Sequence, residues 1–381
     1  MVSMLRRINF KMRIKNIGIL LIAASLTWSC DSGNKNSGNT DNFDVTTILS
    51  NVSNNLIIER YQTLSEATHE LKSAAITFNA NVSQPNLDDV QEKFRLAYLA
   101  WQECSAFKFG YAETNGLRGF LNTFPTDTVE IKTLLGATIP NYEQASYTDA
   151  VGFPGLDYIL FSHSDTDILN LFSTAVDKEG AKDYLLGIAT LIDTKANEAH
   201  AFWKNNTDGF KADFSTDKDK AVSSAFSNLI NEFVWDTEFM KNYQLAVPAG
   251  KYTLNTPRPE LTEAINSGLN IQLYKTHLLA LKRLYLGENA SGDNGIGFDD
   301  YLIELKSETN GKSLHTLIID QFDLIEGKID DISGDLIDAI NNQPTLITEL
   351  FTENKLLVSY FKVNMCSEFS VQITFTDNDG D

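Results

Sequence analysis

Apolar residues recur at helical spacing through almost the whole chain, and that regularity limits the folds open to it. Between Asp44 and Asn364 the repeat is three or four residues, the mark of a helix with one buried face. Leu49, Val52, Leu56, Leu64, Leu71, Ala75 and Phe78 outline a first long helix, with Asp44 placed to cap it. Val90, Phe94, Ala97, Trp101 and Cys104 keep one face of a second, entered after Pro85. After a broken stretch from Gly110 to Gly152, with a short helix predicted from Val129 to Leu135, the spacing resumes. It continues from Pro154 and then through Tyr184, Leu185, Ile188, Ile192, Ala196, Ala199 and Trp203.

Polar residues 205–220 interrupt the pattern and mark a domain boundary. Beyond them, helices are predicted through Val222–Met240, from Leu261 to Ala280 after Pro259, from Leu302 to Ile325, and from Ile332 to Phe361 with a bend near Pro344. Only Val371, Ile373 and Phe375 alternate with period two, so the C-terminal tail reads as a short strand or extended segment. About four helices on each side of the boundary predict an all-α protein: two four-helix bundles side by side, spanning 44–210 and 211–381.

The N-terminus belongs to neither bundle. Arg6, Arg7, Lys11, Arg13 and Lys15 precede an apolar run, Ile17 to Trp28, too short for a stable bilayer span. Residues 1–29 read as an export signal, and Ser29-Cys30 marks Cys30 as the lipidated N-terminus of the mature chain, followed by a flexible linker over 30–43. A diacylglycerol thioether there would anchor the protein to a membrane. The expected location is the cell envelope, at the periplasmic face of an outer membrane or at the cell surface.

The 381 residues carry 31 basic and 51 acidic side chains, a formal charge of −20. Residues 1–29 hold five bases and no acid, so their removal takes the charge to −25. A chain this acidic, without lysine and arginine clusters for phosphates, does not read as a nucleic-acid binder. Besides Cys30, only Cys104 and Cys366 remain, and both are expected as free, buried thiols.

One segment concentrates unusual residues: Gly152-Phe153-Pro154-Gly155-Leu156-Asp157, followed by Tyr158-Ile159-Leu160. Proline suits the first turn of a helix, where its missing N–H is not needed. Pro154 is therefore predicted to open a helix that carries Asp157 in its first turn. The segment resembles the region in which imelysin-like proteins carry Gly-x-His-x-x-Glu, with proline in place of histidine and aspartate in place of glutamate. Ala100-Trp101-Gln102-Glu103 and Phe124-Pro125-Thr126-Asp127 are similar to that family's Trp-bearing helix and Trp-Pro-Asp loop. Glu263-Ala264-Ile265-Asn266-Ser267-Gly268-Leu269-Asn270 is similar to its second signature, Glu-Ala-x-x-Ser-Gly.

The resemblance implies two helical bundles with a site at their interface, and an association with iron uptake. Carried over position by position, it makes Gly152, Pro154 and Asp157 from the first bundle, and Glu263, Ser267 and Asn270 from the second, candidate ligand-binding residues. Trp101 would form an apolar wall. Asp157 and Glu263 are the candidate metal ligands, since carboxylates hold hard or borderline cations. The expected function is binding of iron, an iron-bearing ligand or a component of the uptake machinery.

Peptidase chemistry is disfavoured. His69, His163, His200, His277 and His315 are scattered, with no His-Glu-x-x-His pair and no Glu three positions after any of them. No nucleophile elbow, Walker loop or dinucleotide fingerprint is present. A metallohydrolase and a non-catalytic envelope scaffold are the alternative readings. Asp293-Asn294-Gly295 with Asp299 and Asp300 lacks the ligand spacing of a calcium loop and reads as a turn and helix cap.

Overall fold

The computed structural model describes residues 42–137 and 141–376. The export signal, Cys30 and acidic residues 377–381 lie outside the described residues.

The first apolar stripe folds as Thr46–Asn51 (α1), a π-helical stretch Val52–Ile57, and Ile58–Ala80 (α2), in one unbroken run. Asp44 holds its start, accepting from the Thr46 N–H at 3.1 Å and the Thr46 hydroxyl at 2.7 Å. Gln84–Cys104 (α3) follows, with Pro85 in its first turn, where no N–H is required. The broken region holds Tyr111–Thr114 (α4), Leu117–Leu121 (α5) and Thr128–Leu135 (α6), the last capped by Asp127. Then come Gly152–Phe161 (α7), Asp165–Ser173 (α8) and the long Lys178–Lys204 (α9). Helix α2 packs between α3 and α9, while α7 lies against α9 and α3.

The stretch 205–220 is not a plain linker. It contains Phe210–Thr216 (α10), because Phe210 and Phe214 lie one turn apart and set their rings edge-on to Trp203 at 5.5 Å each. Ala225–Phe239 (α11) runs on into a second π-helical stretch, Met240–Ala246.

After Pro259 the predicted helix does not form at once. Pro259–Leu261 is a single 3₁₀ turn, and Asn270–Leu286 (α12) starts nine residues later than Leu261. Ala264 at φ +51° and Gly268 at φ +69° occupy left-handed backbone that no α-helix contains. The stripe from Leu302 to Ile325 is likewise two helices, Phe298–Leu305 (α13) and Leu314–Asp330 (α14). A small hairpin divides them, Glu308–Thr309 (β1) and Lys312–Ser313 (β2), turned by Asn310 and Gly311 at positive φ.

The final segment divides at Gln343 into Leu336–Asn342 (α15) and Pro344–Ser359 (α16). Helix α16 continues through a third π-helical stretch, Tyr360–Met365, to Cys366–Glu368 (α17). Residues 371–376 form no helix and pair with no strand among the described residues. The Asn231 carboxamide takes a strand's place there, donating to Gln372 O at 3.0 Å and accepting from Thr374 N at 2.8 Å.

The fold is all-α, as its apolar spacing predicts, and a continuous apolar core extends from Val45 to Val371. Helices α3 and α12 pack together and so join the elements before and after residues 205–220. Cys104 and Cys366 are buried free thiols. Asp300 caps the Gly297 N–H at 2.9 Å, the cap expected of the 293–300 segment. No described helix is long and apolar enough to cross a membrane.

Candidate functional site

The Gly-x-Pro-x-x-Asp segment differs locally from its prediction. Helix α7 starts at Gly152, two residues before Pro154, and Asp157 therefore stands in the second turn rather than the first. Gly152 permits the earlier start. It sits at φ +75°, where a Cβ would fall 2.5 Å from Leu121 O and 2.6 Å from Phe120 O. Gly155 is also required, since a Cβ there would meet the Tyr184 hydroxyl, which donates to Ala150 O at 2.6 Å.

Asp157 does not serve its own helix. Its Oδ2 accepts from the Asn266 backbone N–H at 2.9 Å and the Asn266 side-chain amide at 2.8 Å, and its Oδ1 from the Ser267 N–H at 3.0 Å. The left-handed residue Ala264 turns the chain so that successive N–H groups converge on one carboxylate, an anion-binding nest. Burial pushes the Asp157 carboxyl upward, and the hydrogen bonds from Ser267 and Asn266 oppose that push.

Beside this contact lies a cavity of about 220 Å³, walled by Pro125, Pro154, Asp157, Thr262, Ile265 and Asn266 among others. Three segments singled out in the sequence thus meet here: the Phe124-Pro125 loop, the start of α7, and the residues after Pro259. Where the family pattern has an imidazole, this cavity has a pyrrolidine ring.

Glu263 lies between two wall residues but sends its carboxylate into the interior. Its Oε1 accepts from Tyr98 at 3.0 Å, Gln102 at 2.9 Å and Asn122 at 2.8 Å, and its Oε2 from Gln244 at 2.5 Å. The Gln244 amide is oriented by that donation, so its oxygen faces His277 Nδ1 at 3.0 Å. His277 Nε2 faces Asp236 Oδ2 at 2.7 Å. Each ring nitrogen of His277 thus has a hydrogen-bond partner.

Asp236 also accepts from Ser105 at 2.7 Å and from Arg118 at 2.6 Å. Burial pushes its carboxyl up; His277, Arg118 and Ser105 outweigh that and hold it at about 2. Arg118 lies 4.3 Å from the Phe239 ring centroid, 5.0 Å from Trp235 and 6.0 Å from Trp101. Apart from the half-buried Arg118, the chain of polar groups is buried, and it ties α3 and α5 to α11 and α12.

This network does not form a catalytic triad. The Ser105 hydroxyl donates to the carboxylate rather than to the imidazole, so no base is positioned to activate it. Asp157 and Glu263 belong to separate hydrogen-bond sets, and no group of three or more His, Cys, Asp or Glu among the described residues could hold a metal ion.

The other candidates divide between the contact and the core. Ser267 contributes its backbone N–H to Asp157, and its side chain also favours the Asp157 carboxylate. Asn270 is structural: its side-chain oxygen accepts from Leu336 N at 2.7 Å, fixing the start of α15. Trp101 is enclosed at 2 % exposure beside Arg118 and is not a wall of the cavity.

Sequence reasoning passed over Tyr98, Gln102, Asn122, Asp236, Gln244 and His277. A signal for two of them was present. Gln102 adjoins Trp101 on an otherwise apolar helix face, and His277 falls inside the apolar stripe of α12; each is a polar side chain that must find a partner when buried.

The imelysin family model, also termed peptidase M75, matches residues 57–352. The chain belongs to the imelysin family. An imelysin-like protein from Psychrobacter arcticum 273-4 shares the fold with a TM-score of 0.67 at 16 % identity, covering 87 % of this chain and 96 % of that one. A structure described as a putative iron-regulated protein A precursor, from Parabacteroides distasonis, gives a TM-score of 0.63 at 15 % identity, covering 84 % and 95 %. Iron-regulated protein A of Synechococcus elongatus is 23 % identical over 129 residues, 32 % of this chain. That match spans about a third of the relative's length, 35 %. Within the imelysin fold, the match from 57 to 352 takes in both signatures and every member of the buried network.

Proposed function

We propose that this imelysin-family protein serves iron acquisition in the cell envelope as a binding protein that makes and breaks no covalent bonds. The observation that carries the reading is the meeting of Asp157 with Asn266 and Ser267 beside a cavity shaped by Pro125, Pro154 and Ile265. The iron association is supported by the similarity to two proteins named for iron regulation, and export by the description of one of them as a precursor. The basic and apolar N-terminal segment, with Cys30 as its lipid attachment point, supports tethering to a membrane.

The cavity favours a bound ligand over a bare cation. Asp157 already accepts three hydrogen bonds and Glu263 four, and a naked ion would have to displace several of them. At about 220 Å³ it is smaller than the roughly 300 Å³ at which drug-sized sites begin, so it suits one ring or arm of an iron-bearing molecule or of an uptake partner.

Calorimetric titration of protein lacking residues 1–30 with Fe²⁺, Fe³⁺, haem and a ferric siderophore tests the reading. Binding of an iron-bearing ligand, weakened by Ile265→Trp with the fold retained, is expected. If none of the four binds, the ligand-binding function falls. Cys30→Ser is expected to release the protein from the membrane fraction.

A further inference from the structure

The chain has 51 acidic residues against 31 basic ones, yet one surface depression has the opposite charge balance. Two adjoining cavities, of about 260 and 620 Å³, share Phe351 and Lys355 as wall residues. Lys241, Lys251, Lys355 and Lys362 line them, against Glu238 as the lining carboxylate; Lys241 and Glu238 are buried in the floor, so the accessible charge is that of Lys251, Lys355 and Lys362. Tyr252 and Phe351 add two aromatic rings, 6.2 Å apart between centroids and nearly perpendicular at 85°.

The helices sort their charges toward this arrangement. Thr348, Phe351, Thr352, Lys355 and Ser359 recur at helical spacing and present one face of α16 to the cavities. The acids of the same helix are turned away: Glu349 accepts from Lys328 at 2.7 Å and Glu353 from Gln321 at 2.8 Å.

Two of the four lysines come from irregular backbone. Lys241 lies in the π-helical stretch Met240–Ala246 and Lys362 in Tyr360–Met365. One added residue in a turn rotates the side chains that follow by about 100°, and π-helical turns are frequent at functional sites. Local partners are in place as well. Lys362 lies 3.1 Å from Glu238, and Lys251 donates to the Thr348 hydroxyl at 2.8 Å. Lys355 is exposed, with its ammonium 6.0 Å from the Phe351 ring centroid.

We propose that this depression is an anion-binding site for a small molecule that joins a multivalent phosphate or carboxylate group to a flat apolar body. Ammonium groups on flexible stems meet such oxygens as point charges, and the aromatic pair takes the body. The site is independent of the iron reading. Because the chain as a whole is acidic, the attraction is short-ranged and fades with salt.

The test is calorimetry on the purified full chain at low salt, with pyrophosphate and citrate as probes that separate the phosphate from the carboxylate source. At least one is expected to bind, with affinity falling about tenfold in Lys355→Gln and further when Lys251→Gln is added. Lys328→Gln, on α14 and paired with Glu349 on the far face of α16, is expected to leave binding unchanged, and thermal melts confirm that each variant is folded. The proposal is overturned if neither probe binds at millimolar concentration, or if Lys328→Gln weakens binding as much as Lys355→Gln does.

Discussion

Asp157 accepts the backbone N–H of Ser267 at 3.0 Å across 110 positions of sequence, so the two signature segments are joined by a hydrogen bond. Its removal strands the N–H groups of both Asn266 and Ser267. Asp157→Ala is expected to cost about 2–4 kcal/mol, measured by urea unfolding. Hydrogen exchange should speed up at Asn266 and Ser267 before it does elsewhere.

Asp236 contributes to acid stability. Its folded value of about 2 lies below the ordinary 3.8, so its contribution is fully present above 3.8 and is lost as pH falls through about 2. Asp236→Asn leaves Arg118 and His277 without their carboxylate, a loss of about 3–5 kcal/mol near neutrality. Urea midpoints measured against pH should show the gap between wild type and variant closing toward the acid limit.

Asp299 acts with the opposite sign. Burial and the neighbouring Asp300 lift its carboxyl from 3.8 to about 7, so the folded state holds that proton more tightly than the unfolded chain does. Stability therefore falls as pH rises through that window. Asp299→Asn should flatten the decline. Glu232, lifted by burial to about 7, should keep part of the slope.

Gly152→Ala places a Cβ 2.5 Å from a backbone oxygen at a φ of +75°. No side chain can move aside to relieve that contact. A loss above about 2 kcal/mol is expected, together with weaker binding in the cavity that α7 helps to wall.

Helical spacing revealed the class of fold because each long helix keeps one apolar face, as Val90, Phe94, Ala97 and Trp101 do on α3. It misplaced the start of α12 because Leu261 and Ile265 continue the period through a segment whose backbone is left-handed at Ala264. It merged α13 with α14 because two residues of turn, Asn310 and Gly311, do not interrupt the recurrence of leucines. Asp157 was legible as an acid next to glycines, but its partners were not: a hydrogen bond to a backbone N–H leaves no trace in side-chain identity. The buried network was hidden for a related reason. Tyr98, Gln102, Asn122, Gln244 and His277 are each common helix or loop residues, and only the packing of α3 against α12 brings them to a shared pair of carboxylates.

The tail held by Asn231 has a consequence for the order in which the protein completes itself. Gln372 and Thr374 dock on a carboxamide 141 and 143 positions earlier, so Asn231 waits for its partners until long after its own helix has been made. Val371, buried in the final structure, cannot reach its place until the segment that carries it has been made. A chain cut just before Val371 would therefore keep every long helix and still expose an unsealed apolar flank, the kind of surface that quality-control proteases and chaperones recognise.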